Sequence, residues 1–554
     1  MEEILLKEKG KKIILLGNEA IVRGALEAGV QFVSTYPGTP ASEIGNTFYW
    51  LTKNNPKLKK KVYFEFSINE KVALEAGMGA SFSGLKTLIA MKHFGLNVCS
   101  DALIPFLYMG TKGPTVIVVA DDPSCHSSGQ SEQNSRAYSY LGHIPTLEPS
   151  DPQECKDFVK LGFQVSEKFK LPVLIRTTTR VAHQRAPVKP KKINPSGSDP
   201  VGRFEKDFKK FVTMPPRVLE MKKELLEKIV KIKEFSEKSL INQVVQPATY
   251  NLRHTKIGII TSGVSYLYIK EVLKELNLNF PILKLGFFYP LPEQKIKKFI
   301  KSLKKVLIVE ELEPYLEKGI RELAKDINPG LQIFGKDVLS QIGELNPNLV
   351  LFAISKVIGR KFQVSRSRFQ VEIPRRLPKL CSNCPYWLVF AAVKRALKEK
   401  KIKQKDVIFG GDIGCYMLAG IPLISLQDYL ACMGSSIGIG HGIKKSTNQK
   451  LIAFIGDSTF FHAGIPALIN SVFNKSNPLI FIMENLTTAM TGHQPHPGME
   501  IKIGNIVKAC GAKNLKVINP LNQKEMISTI KEFLTKKEVS VIVSRSPCIF
   551  VREN

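Results

Sequence analysis

The sequence feature that most constrains the fold is a pair of apolar runs that each end in polar residues. The run LIAFI leads into Gly456-Asp457-Ser458, and the run PLIFIM leads into Glu484-Asn485. The 25 residues from 459 to 483 match the length of one crossover connection, so the two runs are predicted to be parallel neighbouring strands. Asp457 and Asn485 are then expected together at the carboxyl edge of a sheet, where open α/β sheets bind ligands.

Two oxygen-bearing side chains at one sheet edge suit a hard cation. Mg²⁺ takes carboxylate and amide oxygens together with phosphate oxygens. Gly456 lets a backbone approach closely, and the helix that starts after Ser458 favours an anion. Alternatively, Asp457 only caps that helix and Asn485 only ends a strand. Each residue alone fits this alternative, but the pair at this spacing favours a metal and phosphate site.

Apolar runs alternate with helical patterns along the rest of the chain. The predicted strands lie in KKIILL, KVYFEF, KTLIAM, TVIVVA, PVLIRT, KIGIITSG, FPILKLGFFY, KVLIVEE, DVIFGG and VSVIVSR. Strands separated by helices predict an α/β fold with doubly wound parallel sheets. At 554 residues the chain is too long for one core, so we predict domains over residues 1–185, 251–360 and 361–554. Residues 186–250, rich in Pro and Lys and then amphipathic, predict a linker and a helical connector.

Composition narrows the class of protein. The formal net charge of +31 raises the question of nucleic-acid binding. The lysines are interleaved with glutamates and few aromatics, so a solvated surface is the preferred interpretation. The sequence has no membrane-length apolar run and no signal peptide, so we expect a cytoplasmic protein. The nine cysteines are then interpreted as buried thiols or metal ligands rather than as a disulfide framework.

Several long blocks of sequence resemble one known family. In the last domain they are GDIGCYMLAG (411–420), CMGSSIGIGHG (432–442), GDSTFFHAGIP (456–466) and TTAMTGHQPHPG (487–498). In the first domain they are STYPGTPASEI (34–44), NEKVALEAGMGAS (69–81), MKHFGLNV (91–98) and DDPSCHSSGQSEQNSR (121–136). Together these blocks closely resemble the large subunits of indolepyruvate:ferredoxin oxidoreductases, within the 2-oxoacid:ferredoxin oxidoreductase superfamily.

The resemblance implies thiamine diphosphate and Mg²⁺ as cofactors. It implies a pyrimidine-binding domain first, a transketolase C-terminal-like domain in the middle and a diphosphate-binding domain last. The metal would be held by Asp457, Asn485 and the backbone carbonyl of Thr487. The Asp457 segment resembles the motif of Gly-Asp-Gly followed by Asn-Asn, with Ser458 in place of the third glycine and Glu484 in place of the first asparagine. The cofactor-binding residues would be Glu70, Gly414, Cys415, Gly434, Gly456, Asp457, Ser458 and Asn485.

Two catalytic residues are implied in the first domain. Glu70 matches the superfamily glutamate that hydrogen-bonds the aminopyrimidine ring, and Glu75, one turn later, is the competing candidate. Thr39 matches a residue near the substrate. In the last domain, His493 and His496 either border the site or are surface-loop histidines.

Four of the cysteines are candidate ligands by a related resemblance. Oxidoreductases with a small diphosphate-binding subunit hold a [4Fe–4S] cluster on a pattern that matches Cys381, Cys384, Cys415 and Cys548. Such a cluster accepts single electrons. Zinc is the alternative metal, and structural thiols are the third interpretation. The sequence departs from the indolepyruvate family in two places: Tyr386 replaces the usual histidine, and the chain stops at SRSPCIFVREN without the usual ferredoxin-like tail.

The implied activity is oxidative decarboxylation of an aryl 2-oxoacid such as indolepyruvate. Coenzyme A would accept the acyl group and ferredoxin the electrons. A smaller second subunit is implied, so we expect a hetero-oligomer that binds neither nucleic acid nor membrane. Two alternatives stay open: a non-redox thiamine-diphosphate 2-oxoacid decarboxylase, and a catalytically inactive subunit of such a complex. Iron content tests the first alternative, and binding of thiamine diphosphate tests the second.

Overall fold

The chain is described by a computed structural model over residues 2–5, 11–127, 130–193, 201–245, 256–360 and 379–551. It divides into two compact units, residues 1–366 and residues 367–554, called unit 1 and unit 2. Both units are built on largely parallel β-sheets, which confirms the predicted α/β fold class. Within the described residues, no helix combines the length and apolar character needed to cross a membrane.

The strands of unit 1 are short and mostly buried. They are β1 (Ile13–Leu16), β2 (Phe32–Thr35), β3 (Tyr63–Phe66), β4 (Thr87–Lys92), β5 (Thr115–Asp121), β6 (Thr146–Leu147), β7 (Val173–Thr178), β8 (Arg185–Val188), β9 (Gln243–Val245), β10 (Ile257–Ser262), β11 (Ile282–Leu285), β12 (Phe287–Tyr289), β13 (Lys305–Val309) and β14 (Gln332–Phe334). The larger sheet has the order β12-β6-β7-β5-β4-β2-β3, and all its pairs are parallel except β12 with β6. The smaller sheet has the order β14-β13-β10-β11-β9, with only β9 antiparallel.

Helices connect the parallel strands of unit 1. They are α1 (Gly17–Ala28), α2 (Ser42–Asn54), α3 (Pro56–Lys59), α4 (Glu70–Phe82), α5 (His93–Met109), α6 (Ala137–Gly142), α7 (Pro152–Phe169), α8 (Thr179–His183), α9 (Phe208–Phe211), α10 (Arg217–Lys238), α11 (Ser265–Glu275), α12 (Glu293–Ile300), α13 (Tyr315–Ile327) and α14 (Pro347–Ile358). Helix α7 shows how the local sequence determines where a helix begins. Asp151 accepts a hydrogen bond from the Glu154 amide at its start, and Pro152 follows as the first helical residue. Phe158 and Phe163 are buried on this helix, which packs on β5 and β7.

Three strands pair differently from the prediction. Strand β12 was expected in the middle domain, but Phe287 pairs with Leu147 in the larger sheet. The chain changes sheets at Gly286, where a Cβ atom would lie 2.8 Å from Ile241. Strand β9, from the predicted connector, joins the smaller sheet, and β1 pairs with β8 in a separate antiparallel ribbon. The proposed domain boundaries stay a prediction.

A buried ion network links the two sheets of unit 1. Both ends of the 121–136 block take part. Arg136 donates to Glu148 at 2.6 Å and to Glu310, which follows β13, at 2.8 Å. Arg176 on β7 donates to Asp121 at 2.7 Å and to Glu148 at 3.2 Å. Burial would raise the pKa of Glu148, but the charges of Arg136 and Arg176 lower it to about 2.

Unit 2 contains a single parallel sheet among its described residues. Its strands are β15 (Val407–Gly410), β16 (Lys450–Gly456), β17 (Leu479–Glu484), β18 (Asn514–Ile518) and β19 (Ser540–Arg545), in the order β15-β16-β17-β19-β18. Its helices are α15 (Tyr386–Glu399), α16 (Ser435–Ser446), α17 (Asp457–Thr459), α18 (Ile465–Phe473), α19 (Ile503–Ala509) and α20 (Gln523–Phe533). The sheet confirms that the strands ending before Asp457 and Asn485 are parallel neighbours.

The crossover between β16 and β17 differs from the prediction in detail. The segment Phe460–Gly464, between α17 and α18, is a π-helical turn. Such a turn inserts a residue and rotates the positions after it. On α18 itself, Leu468 is buried, but the apolar Ile469 and Phe473 are 48% and 81% exposed.

We predict that Arg136→Met destabilises the chain much more than Arg180→Met. The first substitution leaves Glu310 buried without its cation and Glu148 with Arg176 alone, a loss of about 3–5 kcal/mol in unfolding free energy. Arg180 pairs with Glu344, but its side chain is 58% exposed, so its loss should cost about 0–1 kcal/mol. Chemical denaturation of the full chain followed by fluorescence measures both. Equal losses would contradict a stabilising role for the buried network.

Candidate active site

The carboxylate of Asp457 is fixed by backbone amides from two strand ends. Asp457 follows β16 directly and is 3% exposed. Its Oδ2 accepts hydrogen bonds from the amides of Asn485 at 3.0 Å and Leu486 at 2.8 Å, and its Oδ1 accepts one from Ser458 at 2.8 Å. The parallel register, in which Gly456 pairs with Met483, brings these groups together. The two residues predicted from sequence thus meet at one sheet edge.

The polar residues after β17 extend this site. Asn485 is buried, and its Oδ1 accepts a hydrogen bond from the Thr487 amide at 3.2 Å. The hydroxyls of Thr488 and Ser458 lie 3.1 Å apart. Carboxylate, amide and hydroxyl oxygens beside a helix start fit a hard cation that carries phosphate oxygens. The residue types and their arrangement therefore fit Mg²⁺ and a diphosphate.

Glycines in this region make room for a tyrosine ring. A Cβ atom on Gly414 or on Gly456 would lie 2.4 or 2.5 Å from Tyr416 Cε1. Gly456 was expected to allow backbone approach to a ligand, whereas the group in closest contact is this ring. Gly434 begins α16 with φ of +85°, and a Cβ atom there would lie 2.8 Å from Ala463. The Tyr416 hydroxyl lies 3.0 Å from Thr459 Oγ1, which ties the Gly414 loop to α17.

Asp412 is a buried residue that the sequence reasoning missed. It follows β15 as Asp457 follows β16, and it accepts hydrogen bonds at 2.9 Å from the amides of Ile413, Gly434 and Ser436. Burial raises the pKa of Asp412 to about 6, against the effect of these amides. Asp412 therefore anchors the start of α16 at the carboxyl edge of the sheet. The repeated pattern of an apolar run ending in Gly-Asp was the signal that could have identified it.

The four candidate cysteines lie near this same edge. Cys415 follows the β15 loop, and the Cys548 amide donates to the carbonyl of Asn485 at 3.0 Å. Burial raises the pKa of Cys415 to about 11, and the neighbouring thiols of Cys384, Cys548 and Cys381 add smaller contributions in the same direction. The four thiols are thus neighbours. Even so, no group of three or more His, Cys, Asp or Glu side chains in the described residues is arranged to hold a metal ion. Four thiols are the right type of ligand for an iron–sulfur cluster. Their spacing, however, does not place them around a common metal position.

The two candidate histidines differ in burial and in their distance from Asp457. His496 Nδ1 accepts a hydrogen bond from the Gly498 amide, and its Nε2 lies 3.2 Å from Asp457 Oδ2. The side chain of His496 is buried and borders the site. His493 is exposed and packs on Phe550 with ring centroids 5.8 Å apart.

In unit 1, burial distinguishes the two candidate glutamates. Glu70 is the first residue of α4 and is 4% exposed. A Cβ atom on Gly95 would lie 2.4 Å from Glu70 Cγ, so the side chain packs directly against the start of α5. Glu75 is 44% exposed and pairs with Lys71. The geometry favours Glu70 as the buried carboxyl of this edge.

Thr39 lies in a polar network at the same edge of the larger sheet. The Ser127 hydroxyl is 3.0 Å from the carbonyl oxygen of Thr39 and 2.7 Å from Asp122 Oδ2. Burial would raise the pKa of Asp122, but hydrogen bonds from Thr179 and Ser127 lower it. Thr39 follows β2, Asp122 follows β5 and Thr179 follows β7. Three strand ends therefore converge here, as Asp457 and Asn485 do in unit 2.

Sequence comparison identifies the family. Indolepyruvate oxidoreductase subunit IorA of Methanothermobacter thermautotrophicus is 42% identical over 561 residues, which cover 99% of this chain and 89% of that protein. The subunit of the same name from Pyrococcus horikoshii is 40% identical over 584 residues, which cover 99% of this chain and 87% of that protein. This chain belongs to the IorA family.

Family models divide this IorA-family chain in three. The thiamine-diphosphate-binding domain of pyruvate flavodoxin/ferredoxin oxidoreductase matches residues 23–239, the indolepyruvate oxidoreductase domain matches 248–367, and the C-terminal thiamine pyrophosphate-binding domain matches 412–544. Thiamine diphosphate is therefore the cofactor class of both outer domains. A solved 2-oxoglutarate:ferredoxin oxidoreductase from Magnetococcus marinus aligns with a TM-score of 0.49 at 17% identity, over 63% of this chain and 65% of that one.

We predict that Asp457→Asn weakens binding of thiamine diphosphate in the presence of Mg²⁺. The substitution removes the negative charge of the expected metal ligand and turns an amide nitrogen toward backbone donors. Loss of such a charged interaction should raise the dissociation constant by about 10–100-fold. Asp406→Asn, an exposed aspartate before β15, is the matched control. Calorimetric titration measures both, and equal affinities in the two variants would contradict the assignment.

Proposed function

We propose that this chain is the thiamine-diphosphate-binding subunit of an oxidoreductase that converts aryl 2-oxoacids, such as indolepyruvate, to acyl-coenzyme A and reduces ferredoxin. The observation that carries the proposal is the carboxyl edge of unit 2, where Asp457 and Asn485 meet beside the start of α17. The family relationship to IorA supports the substrate class.

The chain's own residues would hold the cofactor in a defined way. Asp457, Asn485 and the Thr487 carbonyl would bind Mg²⁺, and the amides at the start of α17 would face the diphosphate. When bound, thiamine diphosphate supplies the carbanion-stabilising chemistry that lets a 2-oxoacid lose carbon dioxide. His496 Nε2, close to Asp457, would help to fix the orientation of that carboxylate. The contribution of the protein is position and charge.

Glu70 and Thr39 would act on the other part of the cofactor and on the substrate. A buried carboxyl can hold or release a proton at one atom of a bound heterocycle, which an exposed, ion-paired carboxylate such as Glu75 does less well. Thr39, linked through Ser127 to Asp122, would border the substrate.

The overall reaction balances without another oxidant. The substrate carboxylate leaves as carbon dioxide, and the coenzyme A thiol loses its proton as its sulfur bonds to the acyl carbon. The electron pair released passes to two ferredoxin molecules, one electron each. A partner subunit follows from membership of a family of oxidoreductase subunits, and we propose that it is the smaller second subunit of a hetero-oligomer.

We assign the four neighbouring thiols to a [4Fe–4S] cluster. Cys381, Cys384, Cys415 and Cys548 would hold it, and their sequence pattern supports this assignment, although their spacing in the described residues forms no ligand shell. A cluster at the edge that carries Asp457 suits the passage of single electrons toward ferredoxin. Zinc would occupy the same four thiolates without carrying electrons. Iron and zinc analysis of the purified protein distinguishes the two.

We predict that Glu70→Gln lowers the activity of the complex and that Glu75→Gln does not. In the complex reconstituted with its second subunit, Glu70→Gln should lower kcat for indolepyruvate-dependent ferredoxin reduction by about 100-fold or more, the usual size of a lost proton-transfer group. Glu75→Gln, one turn away and exposed, is the matched control and should retain activity. Equal activity of the two variants would contradict the role of Glu70. Faster wild-type reduction with 2-oxoglutarate than with indolepyruvate would overturn the aryl preference.

A further inference from the structure

Lys92 is a buried cation at the carboxyl edge of unit 1. It is the last residue of β4, which lies between β2 and β5, and it is 8% exposed. Its aliphatic stem packs on Gly38, where a Cβ atom would lie 2.8 Å from Lys92 Cγ and Cδ. Any larger residue before Thr39 would therefore displace the stem. Lys92 is thus held against the loop that carries Thr39.

The surroundings of Lys92 make its charge costly. Burial lowers the pKa of Lys92 to about 8, against the opposing charges of Asp122 and Glu70. The ammonium group lies 4.6 Å from the centroid of the Phe94 ring, a cation–π contact. Within the described residues, Lys92 makes no hydrogen bond and no ion pair within 4.0 Å. The stem of Lys92 is buried, and its three N–H donors have no protein acceptor among the described residues, so they are available to a ligand.

Three other basic side chains near this edge already face carboxylates of the protein. Arg176 binds Asp121 and Glu148, Arg180 binds Glu344, and His183 lies 3.3 Å from Glu43. Each of them therefore already faces a carboxylate of the protein. Unlike these three groups, Lys92 has no carboxylate oxygen within 4.0 Å among the described residues, although Arg176 Nη2 and His93 Nε2 are also buried without a hydrogen-bond partner there. Its neighbours Glu70 and Asp122 would repel an anion at any position that Lys92 does not reach.

We propose that Lys92 binds the carboxylate of the 2-oxoacid substrate, an inference that rests on the proposed function. An ammonium group between the Thr39 loop and Glu70 presents three N–H donors to an anion. It would orient the carboxylate that is to be lost and select substrates that carry one. The competing role is simple neutralisation of Glu70 and Asp122, in which Lys92 never touches substrate.

Substrate binding and charge neutralisation by Lys92 predict different effects when the side chain is made neutral. In the reconstituted complex, Lys92→Met should raise KM for indolepyruvate, and Ki for the inert carboxylate indole-3-propionate, by about 10–100-fold, the loss of a charged hydrogen bond. Inhibition by the uncharged indole-3-propionamide and affinity for thiamine diphosphate should not change. Lys92→Arg should restore part of the carboxylate affinity, because the positive charge is kept.

Lys86→Met is the matched control. Lys86 is half-buried at the opposite end of the same strand, where its ammonium donates to the Ala28 carbonyl. The Lys86→Met substitution should leave the inhibition constants of indole-3-propionate and indole-3-propionamide unchanged. If Lys92→Met is unstable, Lys92→Gln, which keeps a polar stem, serves in its place.

Each outcome decides the inference. Selective loss of carboxylate affinity, partly restored by arginine, supports substrate binding by Lys92. Equal weakening of the acid and the amide, or an unchanged KM, overturns it in favour of neutralisation. If the wild-type complex turns over no 2-oxoacid although it binds thiamine diphosphate, the proposed function itself fails, which a change confined to the Lys92 variants would not indicate.

Discussion

Three backbone amides hold the Asp457 carboxylate, and the candidate active site depends on the strand register that supplies them. Two of the amides belong to Asn485 and Leu486, so Asp457 fastens the end of β16 to the exit of β17. A slip of one residue in this pairing would turn every side chain of the strand to the opposite face. The apolar strands fix the register by burial, and the polar edge follows from it. Cys548 joins the same edge because its amide bonds to the carbonyl of Asn485.

In unit 1, polar residues also lie together at the ends of parallel strands, but there a buried cation, Lys92, lies near the carboxylates. The strand ends of unit 1 bring Asp122 and Glu70 close to Lys92, while the Arg136 network ties the larger sheet to the smaller one. Buried ion pairs add little stability beyond apolar packing, but losing one partner is expensive. The network therefore makes the arrangement of the two sheets specific. At the same edge, burial lowers the pKa of Lys92 to about 8, against the opposing charges of Asp122 and Glu70.

Sequence patterns were sufficient where the relevant signal is local. The Gly-Asp and Asn positions come directly after apolar runs, so parallel pairing predicted that Asp457 and Asn485 meet. Glu70 could not be separated from Glu75 by sequence, because both lie on one helix and differ only in which face is buried. The pairing of strand β12 depends on the change of sheet at Gly286, which no local pattern in the sequence indicates. Asp412 could have been found from its Gly-Asp pattern, whereas Lys92 required tertiary structure, since its surroundings come from residues distant in the chain.

The most direct test of a redox thiamine site at the unit 2 edge is anaerobic purification with quantitation of thiamine diphosphate, iron and sulfide. Cys384→Ser is compared with Cys432→Ser, an exposed cysteine outside the group of four thiols. The account predicts bound thiamine diphosphate with about four irons per chain in the wild type and in Cys432→Ser, and loss of iron in Cys384→Ser alone. Thiamine diphosphate without iron in the wild type, or iron that survives Cys384→Ser, would contradict it.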